Sequence, residues 1–174
     1  LLNAALGNNG KTVLFSEIAE VRPNIDLPGL VAGLNSKQIE TLVIIGANPA
    51  LTAAPELNWA AAQKNAKAVI QLGYFEDETA AVSSTTPGAW FLPQAHYLES
   101  WGDARTSDGT VVPVQPLIAP LFGAITDLEF LARLGGLDVV DSLAIVRETF
   151  AGFSRGGDLA WKRFLHDGFL PGSA

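Results

Sequence analysis

The sequence predicts an α/β domain: a doubly wound, mostly parallel, Rossmann-like sheet with a C-terminal helical extension. Three observations carry that expectation. Apolar runs at 42–45, 68–72 and 90–92 read as buried strands, since a strand covered on both faces loses polar alternation. Helical patterns with capping residues separate these runs. The first run ends in Gly46-Ala47-Asn48-Pro49, at the carboxyl end of a strand, where open parallel sheets collect ligands.

The elements follow in order. Leu1-Leu2-Asn3-Ala4-Ala5-Leu6-Gly7 opens as a helix, and Gly7-Asn8-Asn9-Gly10 turns it into an expected strand over 12–15. Leu27-Pro28-Gly29-Leu30-Val31-Ala32-Gly33-Leu34 predicts a short helix. After the 42–45 strand, a helix is expected from about 55 to 66, with Pro55 in its first turn. The 68–72 strand runs into Gly73-Tyr74-Phe75. Glu76-Asp77-Glu78-Thr79-Ala80-Ala81 then opens a helix whose acids suit its N-terminal dipole. A polar loop over 83–88 leads to the short strand Ala89-Trp90-Phe91-Leu92-Pro93. The three prolines among valines and leucines over 109–120 suit an extended edge segment.

Three helices close the chain. Thr126 with Glu129 forms a capping-box pattern, stopped at Gly135-Gly136. Asp141 or Ser142 starts the second, with Leu143, Val146 and Phe150 on one face and Gly152 at its end. Asp158 starts the third, with Trp161, Phe164 and Leu165 aligned and Gly168 at its end. Residues 1–122 form the α/β domain in this reading and 123–174 the helical extension.

Composition sets the outer bounds. The 174 residues are 48% hydrophobic, enough for a substantial core. Eighteen acids against 11 bases give a net charge of −7, which argues against a nucleic-acid or anionic-membrane partner. No apolar run approaches the roughly 20 residues of a membrane-spanning helix. The chain begins inside a helical pattern and contains no methionine, so it reads as a piece of a longer polypeptide. It has no cysteine, so these residues hold no iron–sulfur cluster, thiolate zinc site or disulfide. With two histidines, His96 and His166, an all-protein metal site is not expected either.

The candidate chemistry is sparse. Gly10-Lys11-Thr12 does not make a phosphate-binding loop. Only two residues separate Gly7 from Gly10, and the order is helix–turn–strand instead of strand–turn–helix. No Gly-x-Gly-x-x-Gly follows a strand. His96 and Glu99 stand one helical turn apart, a spacing that serves proton sharing or an orienting hydrogen bond. Trp101-Gly102-Asp103 with Arg105 offers an anion pocket or a hydrogen-bonded loop. Glu76, Asp77 and Glu78 cannot all face one cation from a helix, and a solvated first turn accounts for them. His166-Asp167 ends a helix where a cation suits the dipole. Ser16, Ser83 and Ser84 lack a nucleophile-elbow setting. The residues alone nominate no catalytic group.

Read in order, the landmarks resemble the molybdopterin oxidoreductase superfamily. They are Leu2-Asn3-Ala4-Ala5-Leu6-Gly7-Asn8 with Gly10-Lys11, Gly46-Ala47-Asn48-Pro49, Phe75-Glu76-Asp77-Glu78-Thr79-Ala80, Phe91-Leu92-Pro93, Glu99 with Gly102, and Asp108-Gly109. The finer texture resembles one branch, the iron–sulfur subunit of bacterial alternative complex III. That texture lies in Leu72-Gly73-Tyr74-Phe75-Glu76-Asp77-Glu78-Thr79, in Ala95-His96-Tyr97-Leu98-Glu99-Ser100-Trp101-Gly102-Asp103-Ala104-Arg105, in Asp108-Gly109-Thr110, in Gln115-Pro116-Leu117-Ile118-Ala119-Pro120-Leu121 and in Leu165-His166-Asp167-Gly168.

The resemblance implies a structural and assembly domain in the molybdopterin-like half of a subunit of a membrane quinol-oxidising complex. That subunit would lie on the periplasmic side, exported by a twin-arginine signal. Its iron–sulfur clusters would sit elsewhere in the parent chain, and its partners would be the remaining domains and other subunits. It also implies a vestigial or weak pterin-nucleotide site at Gly46, Ala47, Asn48, Pro49, Gly73, Tyr74, Phe75, Glu78 and Thr79. Two departures favour the vestigial form: Gly73 stands where molybdenum enzymes often place an acid, and Gly88-Ala89-Trp90 replaces their Ala-Asp before the third strand. Under the alternative reading the same residues grip a molybdopterin guanine dinucleotide in a true molybdenum oxidoreductase. In either case the isolated chain is expected to be inactive.

Overall fold

In the computed structural model, residues 1–15 and 25–173 are described. A parallel three-stranded sheet organises the first part, with order β1-β2-β3 for β1 (Thr41–Ile45), β2 (Ala68–Gly73) and β3 (Ala89–Pro93). Leu42 lies opposite Val69, and Val69 opposite Ala89. The α/β class and the parallel sheet are those that the apolar runs predict.

Helices α2 (Leu27–Asn35) and α4 (Trp59–Gln63) pack on the face carrying Leu42, Ile44 and Val69. Val31, Leu34, Trp59 and Ala62 complete that core. Each large aliphatic side chain buried there contributes about 1.5–3 kcal/mol. Asp26 caps α2 by accepting from the Gly29 amide at 2.8 Å.

Other expectations are corrected. The strand over 12–15 does not form. After α1 (Leu2–Ala5), Gly10 (φ +76°) folds Val13 back onto Asn9 in a single bridge, while Leu14 and Phe15 stand exposed. A strand needs a neighbour to satisfy its backbone, and among the described residues none pairs here. The helix expected over 55–66 is broken in two, a 3₁₀ turn at Pro55–Leu57 and α4. Asn58 between them is left-handed (φ +45°), a conformation that asparagine tolerates better than most residues. The Asn48-Pro49 turn itself opens a one-turn helix, α3 (Pro49–Thr52), with proline in its first turn. Helix α5 (Glu78–Ser83) starts two residues later than the acids suggest, because Asp77 is its cap and not part of its first turn.

Gly88 is fixed by the close approach of strand and turn. It has φ +72°, and a Cβ there would lie 2.7 Å from the Lys67 carbonyl oxygen.

A second unit follows. β4 (Gly102–Arg105) and β5 (Val111–Val114) pair antiparallel, with Pro113 opposite Asp103. The 102–105 stretch is thus a strand and not the hydrogen-bonded loop that its residues suggest. At the tip Asp108 accepts from the Thr110 amide at 3.1 Å and from the Thr106 hydroxyl, and these bonds hold its carboxyl below the usual range.

The hairpin packs on α7 (Ser142–Phe153) and α8 (Gly157–Asp167), so the second core draws on residues from both sides of position 122. Val111, Val146, Phe150, Trp161 and Phe164 form that core, with Trp101 and Leu143 against it. The phenyl rings of Phe150 and Phe164 stack at 4.9 Å.

Helix α6 (Asp127–Leu134) keeps only half of its expected capping box. Thr126 accepts from the Glu129 amide at 3.0 Å, but the Glu129 carboxylate turns to Arg133 at 2.7 Å. Helix α7 runs one residue past Gly152, and α8 starts at Gly157, leaving Asp158 to pair with Arg147 and Lys162. Gly168 ends α8 left-handed at φ +78°, as expected.

Candidate functional site

Parallel strands deliver their carboxyl-terminal loops to one edge of a sheet. The turn after β1 and the loop after β2 therefore meet. Gly46–Asn48, Gly73–Phe75 and Asp77 line a cleft of about 250 Å³. Gly46 makes the turn possible with φ +59°. The two turns lie adjacent, which brings together Gly46, Ala47, Asn48, Gly73, Tyr74 and Phe75. Pro49 is buried at the start of α3, outside the lining.

Glu78 and Thr79 also stay outside the lining, where they tie the two loops together. Asn48 donates through Nδ2 to Glu78 Oε2 at 2.7 Å, and the Thr79 hydroxyl donates to Asn48 Oδ1 at 2.7 Å. The same hydroxyl accepts from the Ala50 amide at 3.0 Å. The hydrogen bond from Asn48 holds the exposed Glu78 carboxyl below its usual value.

Behind this lies a buried polar layer. Gln63 accepts from the Trp59 indole at 2.7 Å and donates to the Ser83 hydroxyl at 2.8 Å. Gln71 donates to Asp77 at 2.9 Å, and Asp77 accepts from the Ala80 amide at 3.0 Å. Gln63, Gln71 and Thr79 are almost wholly buried. A satisfied network of this kind fixes geometry, because each bond gains strength away from water and each unmet group would be costly. Sequence reasoning missed Gln63, Gln71 and Ser83 as members. The one visible signal was a glutamine inside the apolar run of β2.

The other candidates resolve plainly. His96 and Glu99 form a reciprocal cap on the Tyr97–Glu99 turn: Glu99 accepts from the His96 amide at 3.1 Å, and His96 Nδ1 accepts from the Leu98 amide at 3.3 Å. The two side chains do not bond each other as their spacing suggests; each takes a backbone amide of the turn instead. Arg105 lies over the Phe153 ring at 5.3 Å, so no anion pocket forms with Trp101 and Asp103. His166 contacts Asp167 at 2.9 Å beside the end of α8. Ser83 is absorbed into the buried layer, Ser84 bonds the Ala81 carbonyl, and Ser16 lies outside the described residues. Among the described residues no group of three His, Cys, Asp or Glu is arranged to hold a metal.

One further polar group stands at this edge. Gln94 follows β3, and its side chain reaches across the end of β2 toward Gly46. Its Nε2 donates to Asp127 at 2.7 Å, while its buried Oε1 has no partner among the described residues. The Tyr74 ring lies 5.5 Å from that of His96, which lies 4.2 Å from that of Tyr97. Partial burial pushes the Tyr74 phenol up, and the Asp127 and Glu99 carboxylates add to the rise.

Comparison with known proteins bears on fold. No protein-family model matches the chain, and no curated protein matches it. Among solved structures it is similar to acetylene hydratase from Pelobacter acetylenicus, with a TM-score of 0.52 and 19% sequence identity. The match covers 64% of this chain and 16% of that one. At that identity the likeness is one of fold, and the chain corresponds to a small part of the enzyme's length.

Proposed function

We propose that this chain is a structural and assembly domain of an oxidoreductase related to the molybdopterin oxidoreductases, without a pterin of its own. Acetylene hydratase, whose fold it shares in part, is a protein of that family. The observation that carries the reading is the state of the carboxyl-edge cleft. Its turns converge as a nucleotide site would require, yet Asn48, Glu78 and Thr79 are engaged with one another.

The residues present do not fit a guanine dinucleotide with its diphosphate. Asp77 lines the cleft and among the described residues no lysine or arginine does, so a phosphate entering it meets repulsion. Gly73 offers no carboxylate to the donor edge of a guanine. We therefore derive no chemical step through that cofactor.

The finer assignment rests on the 95–105 run. In it the chain belongs to the molybdopterin-like half of an iron–sulfur subunit of a quinol-oxidising complex, on the periplasmic side of the membrane. Its partners are the remaining domains of the parent polypeptide and neighbouring subunits. The surface supports a role in assembly: large apolar side chains, among them Phe75, Trp90, Leu117 and Phe122, stand exposed. No described helix is long and apolar enough to cross a membrane.

Calorimetry with GDP and GMP tests the reading. No binding in the micromolar range is expected. Micromolar binding abolished by Gly46→Trp would overturn it in favour of a cofactor-bearing domain.

A further inference from the structure

The outer edge of β3 is open. The Gln94 amide bonds the Gly73 carbonyl at 3.0 Å, and the Val69 amide bonds the Gly88 carbonyl at 3.3 Å. In a parallel ladder the backbone groups of successive residues point alternately to the two sides, so those of Ala89, Phe91 and Pro93 turn away from β2. Pro93 has no N–H, and its carbonyl accepts from the Ile125 amide at 3.0 Å. The Ala89 amide turns back to the Thr86 carbonyl at 3.3 Å. The Phe91 N–H, the Phe91 carbonyl and the Ala89 carbonyl are left without a protein partner among the described residues. Ile125 already uses the far end of this edge, paired parallel with Gln94. Ahead of it the chain peels away at Phe122 and Gly123, which are left-handed at φ +56° and +67°. The rest of the edge stays unpaired.

A groove runs along it. Helix α5 and the turn before it form the other wall, and about 280 Å³ lies between Glu76, Ala81, Ser84, Trp90 and Phe91. The helix wall carries small side chains, which leaves room for a chain beside the strand. Trp90 is 66% exposed at the rim and offers an apolar rest. An open edge strand is a template for one more strand, with main-chain bonds supplying the affinity. Charge selects the occupant. Glu76 and Asp77 line the groove, and among the described residues no lysine or arginine does. Asp77 is engaged by the Gln71 amide and as the cap of α5, whereas Glu76 is exposed and takes part in none of the ion pairs of the described residues. A second copy of this chain, itself at −7, meets repulsion here, and a basic segment meets attraction.

We propose that the groove between α5 and the outer edge of β3 docks an extended, basic segment of a protein partner as an added strand. It pairs backbone to backbone at Ala89 and Phe91 and sets a lysine or arginine against Glu76. The site gives the assembly role proposed above its place and partner class, and for that purpose it rests on that reading. The nucleotide titration reads the cleft after β1 and β2, so the two can fail separately.

The test is an NMR titration of the 174-residue chain with a short peptide of alternating valine and threonine that carries a lysine at each end. Saturable shifts at Ala89 and Phe91 and slowed exchange of the Phe91 amide are expected. The same peptide N-methylated along its core cannot donate and should not bind. A version ending in glutamates should bind about fivefold or more weakly. Glu76→Lys, at an exposed position, should weaken binding of the lysine peptide about two- to fivefold. Undiminished binding of the N-methylated peptide, equal binding of the lysine and glutamate peptides, affinity unchanged by Glu76→Lys, or no saturable binding would each overturn the proposal. Shifts centred on Val43 and Ile45, at the opposite edge of the sheet, would do the same. A peptide-free dimer in sedimentation equilibrium, with the Phe91 amide already protected, would overturn it in favour of a second copy.

Discussion

The sheet layer and the C-terminal unit fill their interiors by different means. Against the sheet, aliphatic and small residues pack beside a buried polar layer built from Gln63, Gln71, Thr79 and Ser83. Around α7 and α8 the interior is largely aromatic, with Phe150, Trp161 and Phe164 in mutual contact. Hydrogen bonds are directional, so the first arrangement sets the positions of loops. Aromatic packing contributes mainly through its large buried area, and the hydrophobic effect is non-directional. The region that positions a cleft is the one built on polar bonds.

The contrast is open to direct attack. Phe164→Ala should cost about 3–5 kcal/mol, the usual loss for a phenyl group deleted from a core. Urea unfolding measures it, and a loss below 1 kcal/mol would show that the aromatic cluster is not the main support of its unit. Thr79→Val should cost less, about 1–3 kcal/mol, by stranding Asn48 Oδ1 and the Ala50 amide. Its signature is local. Amide exchange should quicken around residues 46–50 more than in α7, and uniform acceleration would refute the positioning role. Glu129→Gln, which weakens the surface pair with Arg133, should change stability by about 0.3–0.5 kcal/mol at most.

The smallest effect is confined to one contact. Because the folded Glu78 carboxyl is held below its ordinary value, its bond with Asn48 is complete at neutral pH and is lost as pH falls through the lowered value. The side-chain amide resonances of Asn48 should report that titration, and Asn48→Ala should return Glu78 toward its usual range. A Glu78 titration that Asn48→Ala leaves unchanged would place the cause elsewhere.

The three sheet strands were legible because each is a short apolar run between turn residues, and the parallel order then placed 46–49 beside 73–75. Local rules also found the caps Thr126, Asp141 and Gly168. What escaped depends on distance along the chain. Asn48 meets Glu78 and Thr79 about thirty residues away, and Gln94 meets Asp127 across a similar span. No period or cap encodes such pairs, because topology alone brings them together. β4 escaped for another reason. Gly102-Asp103-Ala104-Arg105 has no apolar alternation, and it pairs only because β5 lies beside it. The strand over 12–15 failed for the opposite reason: its residues suit a strand, but no described neighbour completes one.

The bridge at Ile125 carries a consequence for how such a chain can change in length. The Ala95 amide bonds the Ile125 carbonyl at 2.8 Å, and the Ile125 amide bonds the Pro93 carbonyl at 3.0 Å. The chain thus departs from the sheet and rejoins it at one point, so the excursion between 96 and 124 has clasped ends, and outside the packed β4–β5 hairpin its mostly exposed stretches over 106–109 and 117–123 are loop. Lengthening a flexible loop with closed ends is cheap, about 0.6 kcal/mol for each doubling. Insertions and deletions there leave the clasp, and with it the sheet edge, where they were. Related chains should differ most in length between these two residues and least between Gly46 and Gln94.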